Sequence, residues 1–528
     1  MRRSWLSLVL ALLVGSSLES IGQAQAQSQT QESASPEKSL EQRFEELDRE
    51  VRILKRKREL EQEAAEATKK TVPIVKTGSS GLSVESADGN FSVRFRGIVQ
   101  ADHRLFFDGV NDTRNRTDQR AGDLDADGFH AANNSWLLRR LRPTFEATFW
   151  GKYDIRIMPD FANGTVSLFD GYLDARLDPA FKIRVGKFKS FVALERLQSA
   201  SDIKLIERSY VSNALLPNRD LGIAVHGDVL NNTLSYAFGL MNGVSDGGNI
   251  NTGPQFSGRK EFTGRIFATP FVNHDTILHG LGLGVAATYT SVNGERNLNF
   301  TDTTPADPTR NGLASYLTDG QNTFFRYSGG AVSDGARIRV SPQAYYFVGP
   351  LGIISEYARV IQDVSLTTGG SPPAGGAGTN TVFTPNSGRR LQHQAWHVTV
   401  AYVLTGEDNS FQGVKPRHNF EFGRGWGAWE LVGRYSEIHL DSDTFKNPAG
   451  TSFTGGYANL AESAKAARSW TVGLNWYVNP NVRFAVNYSE TTFSGGAGNG
   501  ITPINAAGTN VQDRPDERVF LTRMQLAF

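Results

Sequence analysis

The sequence predicts an all-β fold, a sixteen-stranded antiparallel transmembrane β-barrel preceded by a short periplasmic coiled-coil helix, and three observations predict it. From Asn90 onward apolar and polar residues alternate with a period of two through sixteen long segments. The connections between these segments alternate long and short, the rhythm of a barrel with extended loops on one side of a bilayer and tight turns on the other. The last segment, Asp516 to Phe528, alternates as Val519, Leu521, Arg523, Gln525 and ends on an aromatic ring, which resembles the closing strand of bacterial outer-membrane barrels.

The elements follow in order. Arg2 and Arg3, the apolar run Trp5 to Val14 and Ala24-Gln25-Ala26 form the three parts of a secretory signal peptide, residues 1–26. Residues 27–36 are Gln- and Ser-rich and read as a flexible spacer. In residues 37–70, Leu40, Phe44, Leu47, Val51 and Leu54 recur at alternating steps of four and three, flanked by charges, which predicts a short coiled coil. So short a seam is marginal alone and matters where a larger body gathers several copies. Residues 71–89 read as a linker and 90–528 as the barrel.

The first strand shows why a membrane barrel is preferred to a soluble sheet. Phe91, Val93, Phe95, Gly97, Val99, Leu105 and Phe107 share one phase, and Arg94, Arg96, Gln100, Asp102 and Arg104 the other. Soluble strands average five or six residues, far fewer than this. Equivalent segments are expected near 135–150, 152–160, 167–177, 181–188, 220–228, 232–241, 259–269, 280–291, 336–348, 351–363, 393–405, 427–439, 468–478, 482–492 and 516–528. Two connections depart from the rhythm, a short one at 161–166 and a long one at 406–426. Aromatics near strand ends, including Trp136, Trp150, Tyr345, Phe347, Trp429, Trp476 and Tyr477, fit interfacial girdles.

Composition narrows the function. There is no cysteine, which excludes thiol chemistry and disulfide frameworks, and 55 basic against 54 acidic residues argue against bulk nucleic-acid binding. No G-x-S-x-G, H-E-x-x-H or P-loop motif occurs, so no catalytic residue, metal ligand or cofactor is expected. His393 and His397 share a strand face and read as girdle residues.

Basic residues do stand out at polar-phase positions. Arg140 and Arg142 share the face of Thr144 and Glu146; Lys152, Asp154 and Arg156 share one face of the third strand, and Asp170, Tyr172, Asp174 and Arg176 one face of the fourth. Cations bordered by a few carboxylates make an anion path, because Arg and Lys donors replace hydration lost in a narrow pore. The connection 189–219 carries Glu195, Arg196, Arg208 and Arg219 between the apolar patches Phe191–Leu194 and Ala214–Pro217. So apolar a loop is expected to fold into the lumen and present its arginines to a constriction.

The runs Phe91–Asp102, Leu138–Pro143, Arg184–Ser190, Ala193–Ala200, Leu216–Asp220, Leu404–Glu407, Gly427–Leu431 and Gly473–Tyr477, in this order, resemble the phosphate-selective porin O and P family over roughly residues 85–528. The resemblance implies a homotrimer in the cell outer membrane, embedded in its lipid, that passes inorganic phosphate or other small anions along an arginine ladder. By matching motif it implies Arg139 and Arg140 as the paired arginines, Lys152 as the lysine after the following turn, Asp170 as the acidic residue of the fourth strand, and Arg196 and Arg208 in the constriction loop. Two positions depart: the first-strand arginine aligns with Ile98, and Arg139 falls on the apolar phase, so it needs a β-bulge or a loop-side position to face the pore. A porin for polyphosphate, carboxylates or sugars, and a barrel-embedded hydrolase, remain as alternatives.

Overall fold

The computed structural model describes residues 39–69, 72–107, 134–162, 164, 166–250, 259–294, 311–368, 382–450, 452–497, 507–508 and 511–528. The expected signal peptide and spacer lie outside the described residues. Two compact units emerge, residues 1–70 and 71–528. The first contains helix α1 (Leu40–Lys69), with an Asp48–Arg52 ion pair one turn apart on its surface. Its seam residues Leu40, Phe44, Leu47, Val51 and Leu54 are all exposed in the single chain.

In the second unit the sixteen expected segments appear as β1 (Ser92–Phe106), β2 (Ser135–Phe149), β3 (Tyr153–Asp160), β4 (Ser167–Asp178), β5 (Phe181–Lys189), β6 (Arg219–Val229), β7 (Leu234–Met241), β8 (Glu261–Ala268), β9 (Leu281–Asn293), β10 (Ala331–Val348), β11 (Leu351–Thr368), β12 (Arg389–Val403), β13 (Ala428–His439), β14 (Ala464–Tyr477), β15 (Val482–Ala497) and β16 (Glu517–Ala527). Each pairs antiparallel with the next, and β16 pairs with β1 from Val519 opposite Phe106 to Ala527 opposite Ile98. The sixteen strands therefore close on themselves. With an even strand number, β1 begins and β16 ends at the same rim, called proximal here; the long connections other than 404–427 leave the other, distal rim.

Closure depends on a residue with no side chain. Gly97 and Phe528 exchange N–H···O bonds of 2.9 and 3.0 Å, and a Cβ on Gly97 would lie 2.8 Å from the Phe528 ring. Below that point β16 has run out, and the segment read as a linker takes its place. Residues Ile74–Gly78 and Gly81–Glu85 form a hairpin whose second strand pairs with β1 from Leu82 opposite Phe95 to Glu85 opposite Ser92. Its outer face continues the apolar wall in the cross-strand row Val75, Val84, Val93. The barrel sheet thus starts before residue 90, and 71–89 is not a free linker.

Outward positions such as Phe145, Ile157, Leu173, Val185, Phe238 and Val285 are exposed, while the alternate positions Gln100, Asp102, Arg104, Arg140, Arg142 and Asp170 are buried inside. This inverted pattern suits a wall whose solvent is hydrocarbon. Strand lengths divide the wall: β3, β7 and β8 have 8 residues, β10 and β11 have 18. The distal extensions read as loop because they are rich in Gly and small polar residues; ladder pairs such as Ala331–Leu366 hold them as strand. Trp136, Trp150, Trp429 and Trp476 face outward as expected of a girdle, whereas Tyr345, Phe347 and Tyr477 stand on the inner phase with Phe347 and Tyr477 buried.

Candidate functional site

The connection 190–218 runs through the barrel interior. Val192, Ala193, Val211, Ala214, Leu215 and Leu216 are at most 1% exposed and pack against inner-face residues of β9 to β15, among them Ala286, Ala358, Ala395, Ile438, Ala467 and Phe493. Small side chains at those wall positions leave room for the loop, and its apolar patches leave water by filling it. A second segment, 311–330, enters as well and adds Tyr316, Phe324 and Phe325 to the same cluster. Both loops pack their apolar side chains mainly on β9 to β15, and the cavity that remains beside the first is lined largely by charged residues of β1 to β6.

Polar contacts fix the register of the first loop. Glu356 on β11 accepts the N–H of Leu194 at 2.7 Å and of Glu195 at 3.3 Å, at the start of the single helical turn α2 (Leu194–Leu197). Further along, Asn487 accepts the Ile206 N–H at 3.1 Å, Arg523 and Arg434 donate to the carbonyls of Ile206 and Glu207 at 2.9 and 2.7 Å, and Lys204 pairs with Glu430 at 2.8 Å. From the second loop, Asp319 takes both nitrogen contacts of Arg434 Nη2, at 3.0 and 2.9 Å.

The adjacent arginines of β2 both reach the interior because the strand bulges. Gln100 lies opposite Arg140 and Ala101 opposite Leu138, so Arg139 is the extra residue that the alternating phase demanded. Arg139 binds Glu207 through two contacts, Nε–Oε1 at 2.8 Å and Nη2–Oε2 at 3.1 Å, while Arg140 donates to Gln100 Oε1 at 2.5 Å. Arg142 pairs with Asp160 at 2.7 Å and lies 3.9 Å above the Phe169 ring. A second bulge, Met158 opposite Asp170 and Pro159 opposite Leu168, makes Phe169 the extra residue of β4. Asp170 bridges Arg219 at 3.1 Å and Arg156 at 3.4 Å.

Lys152 is not part of this arrangement. It is exposed in the proximal turn between β2 and β3, beyond Phe149 and so roughly 33 Å along β2 from the Arg139 bulge at about 3.3 Å per residue. A motif match places a residue in the chain order, and the turn here carries it to the rim. Arg196 and Arg208 do lie in the interior, buried and held by neutral acceptors. Arg196 donates to the Ser212 carbonyl and to Asn213 Oδ1 at 3.1 Å; Arg208 donates to the carbonyls of Glu195 and Gln198 at 3.3 and 3.1 Å.

Sequence reasoning missed three contributors. Glu207 of the inward loop holds Arg139 and Arg104, Lys189 reaches the carbonyls of Leu197 and Gln198 at 3.3 and 2.8 Å, and Arg483 on β15 donates to the Ile203 carbonyl at 2.9 Å. The Glu207-Arg208 step was visible, but nothing local tells which basic residue a loop carboxylate meets. The histidines are corrected too: His393 and His397 are buried and face inward, His393 accepting from the Asp441 N–H and bonding the Tyr327 hydroxyl at 2.7 Å.

Charge compensation sorts the cations into two sets. Arg139, Arg142, Arg156, Arg184 and Arg219 have carboxylate partners. Among the described residues Arg140, Lys189, Arg196, Arg208 and Arg483 form no ion pair, and the buried Nε–H groups of Arg140, Arg196 and Arg483 have no acceptor. A guanidinium held by carbonyls keeps its full charge in low dielectric, and its remaining donors match an oxyanion. On the proximal side of the loop lies a cavity of about 590 Å³ lined by Arg96, Arg142, Arg156, Arg184, Lys189, Arg219, Lys415 and Arg483 but by only two carboxylate residues, Asp170 and Asp202. Among the described residues no group of His, Asp or Glu could hold a metal ion.

The profile of the family described as phosphate-selective porin O and P matches residues 113–528. Porin O of Pseudomonas aeruginosa is 24% identical over 496 residues, covering 86% of this chain and 92% of that protein. Among solved structures, the outer-membrane channel DcaP of Acinetobacter baumannii covers 83% of this chain and 98% of its own at 12% identity, with a TM-score of 0.46. An anion-selective porin from Comamonas acidovorans covers 83% and 100% at 9% identity, with a TM-score of 0.44.

Proposed function

The chain belongs to the phosphate-selective porin O and P family and is an outer-membrane porin, and from that premise we propose that it conducts anions passively, with phosphate as the favoured solute and no catalytic turnover. The observation that carries this reading is the uncompensated set Arg140, Lys189, Arg196, Arg208 and Arg483 in and around the loop that packs on β9 to β15. An anion entering the narrow region gives up water and gains charged donors, whereas a cation meets a cavity with more arginines than carboxylates, in which Asp170 is already held by Arg219 and Arg156. Phosphate profits more than chloride, since its several oxygens accept from planar guanidinium forks at once.

The protein is proposed to act as a homotrimer, with the N-terminal coil in the periplasm and the proximal rim on that side. Planar-bilayer reversal potentials under a salt gradient test the selectivity. A potential near the Nernst value for the anion is expected, and a cation preference would overturn the reading. Phosphate block of chloride current separates a phosphate pathway from one for neutral sugars, which would leave that current unblocked.

A further inference from the structure

The long proximal connection 404–427 serves two sides of the wall. Its first half turns inward, where Gln198 donates to the Phe411 carbonyl at 2.9 Å and the Phe411 ring lies 5.5 Å from Tyr345. Its second half folds over the outside. Phe420 meets Trp476 edge to face at 5.0 Å, and Trp476 stacks on Trp429 and Phe484 at 5.3 and 5.7 Å. The strand neighbours Glu430, Asn475 and Arg483 are buried in the lumen, so this aromatic group stands on the lipid side. Trp476 also donates its indole N–H to the Trp426 carbonyl at 2.9 Å, which ties the outer lobe to the wall.

Two features of this lobe have no role in the pore. Phe422 is 94% exposed, more than any other large apolar side chain among the described residues, and Trp426 is 76% exposed. Beside them is a hollow of about 330 Å³ walled by Arg417, His418, Asn419, Glu421, Arg424 and Gly425. Arg417 commits one nitrogen to the Gly406 carbonyl at 2.7 Å, and among the described residues the side chains of His418, Glu421 and Arg424 have no partner.

We propose that this lobe is a binding site for an aminophospholipid of the leaflet at the proximal rim. The phosphodiester sits between Arg417 and Arg424, the ammonium of the headgroup reaches Glu421, and Phe422 and Trp426 enter the boundary between headgroups and acyl chains. Two arginines and a carboxylate around one hollow complement a zwitterionic headgroup. The rings lie at the end of an aromatic belt, the depth at which amphipathic rings anchor barrels, and basic residues there meet lipid phosphate. The inference rests on the outer-membrane assignment and is independent of the solute that passes through the pore.

Native mass spectrometry of the full-length, delipidated protein titrated with phosphatidylethanolamine, phosphatidylcholine or phosphatidylglycerol tests the site. The wild type should retain phosphatidylethanolamine about tenfold better than phosphatidylcholine, and Arg424→Glu should abolish that retention, as expected for loss of one charge-assisted contact and its replacement by repulsion. Glu421→Gln should erase the preference over phosphatidylcholine while leaving phosphate binding. Chloride conductance of Arg424→Glu should equal that of the wild type, which certifies an intact barrel. Equal retention of the first two lipids, unchanged retention in Arg424→Glu, persistence of the preference in Glu421→Gln, altered conductance, or displacement of lipid by inorganic phosphate would each overturn the proposal.

Discussion

Arg139 and Glu207 meet through two contacts of 2.8 and 3.1 Å, joining the bulged residue of β2 to the inward loop 68 positions later in the chain. Glu207 also takes Arg104 at 3.3 Å and is buried, so one carboxylate holds two guanidiniums inside the barrel. Glu207→Gln keeps the shape and removes the charge. The reversal potential is expected to move further toward the anion limit, and stability to fall by about 3 kcal/mol, because breaking a buried pair strands its partner. An unchanged potential would mean that this carboxylate does not act on the permeating ion.

Arg196→Ala and Arg208→Ala are expected to raise the phosphate concentration for half-block of chloride current about tenfold each, the usual cost of one charge-assisted donor. Arg184→Ala should change it less, because Asp174 already neutralises that guanidinium. Lys152→Ala, at the exposed turn, should leave block unaltered. Equal effects from all four substitutions would remove the loop from consideration as the selective element.

Glu356→Ala should loosen the constriction loop. Besides the N–H groups of Leu194 and Glu195, this carboxylate accepts from the Ser341 hydroxyl at 3.1 Å, and its loss leaves buried donors unpaired. Open-channel current noise should rise, and residues 190–218 should become sensitive to protease added to the solubilised protein. Native-like noise together with intact protease resistance would count against Glu356 as the anchor.

Gly97→Val places a side chain where the Phe528 ring lies 2.8 Å away. Overpacking of this kind costs about 1–3 kcal/mol, so the folded barrel should lose its compact gel mobility at a lower temperature than the wild type. Pairing the change with Phe528→Ala should recover part of the difference; no recovery would separate the cost from that contact.

Deletion of residues 27–70 is expected to leave a folded, trimeric barrel with unchanged conductance. The cut avoids the hairpin strand Ile74–Gly78, which belongs to the barrel sheet, and residues 71–528 are a compact unit by themselves. A coil of about two and a half heptads is too short to hold a trimer unaided. Mass measurement in detergent decides the matter, since monomers after deletion would assign the trimer contact to the coil.

Strand number, phase and closure were legible in the sequence because each is dictated locally by the solvent on either side of the wall. A strand between hydrocarbon and lumen has to alternate, and sixteen alternating segments give an even-numbered barrel whose ends meet. Even the bulge at Arg139 could be anticipated, because two adjacent arginines cannot both face inward in a regular ladder. Which cations keep their charge was decided only by the tertiary structure. Glu207 lies 68 residues from Arg139, and Asp102 lies 421 residues from Arg523, so these neutralisations exist only after the loop has entered and the seam has closed. The hairpin 74–85 escaped for the same reason: alone it is a short, exposed pair of strands, and it becomes wall only where β16 stops short of the proximal end of β1. Alternation is a property of one segment in its solvent; compensation and docking are properties of pairs of segments, and a chain alone does not record which of them meet.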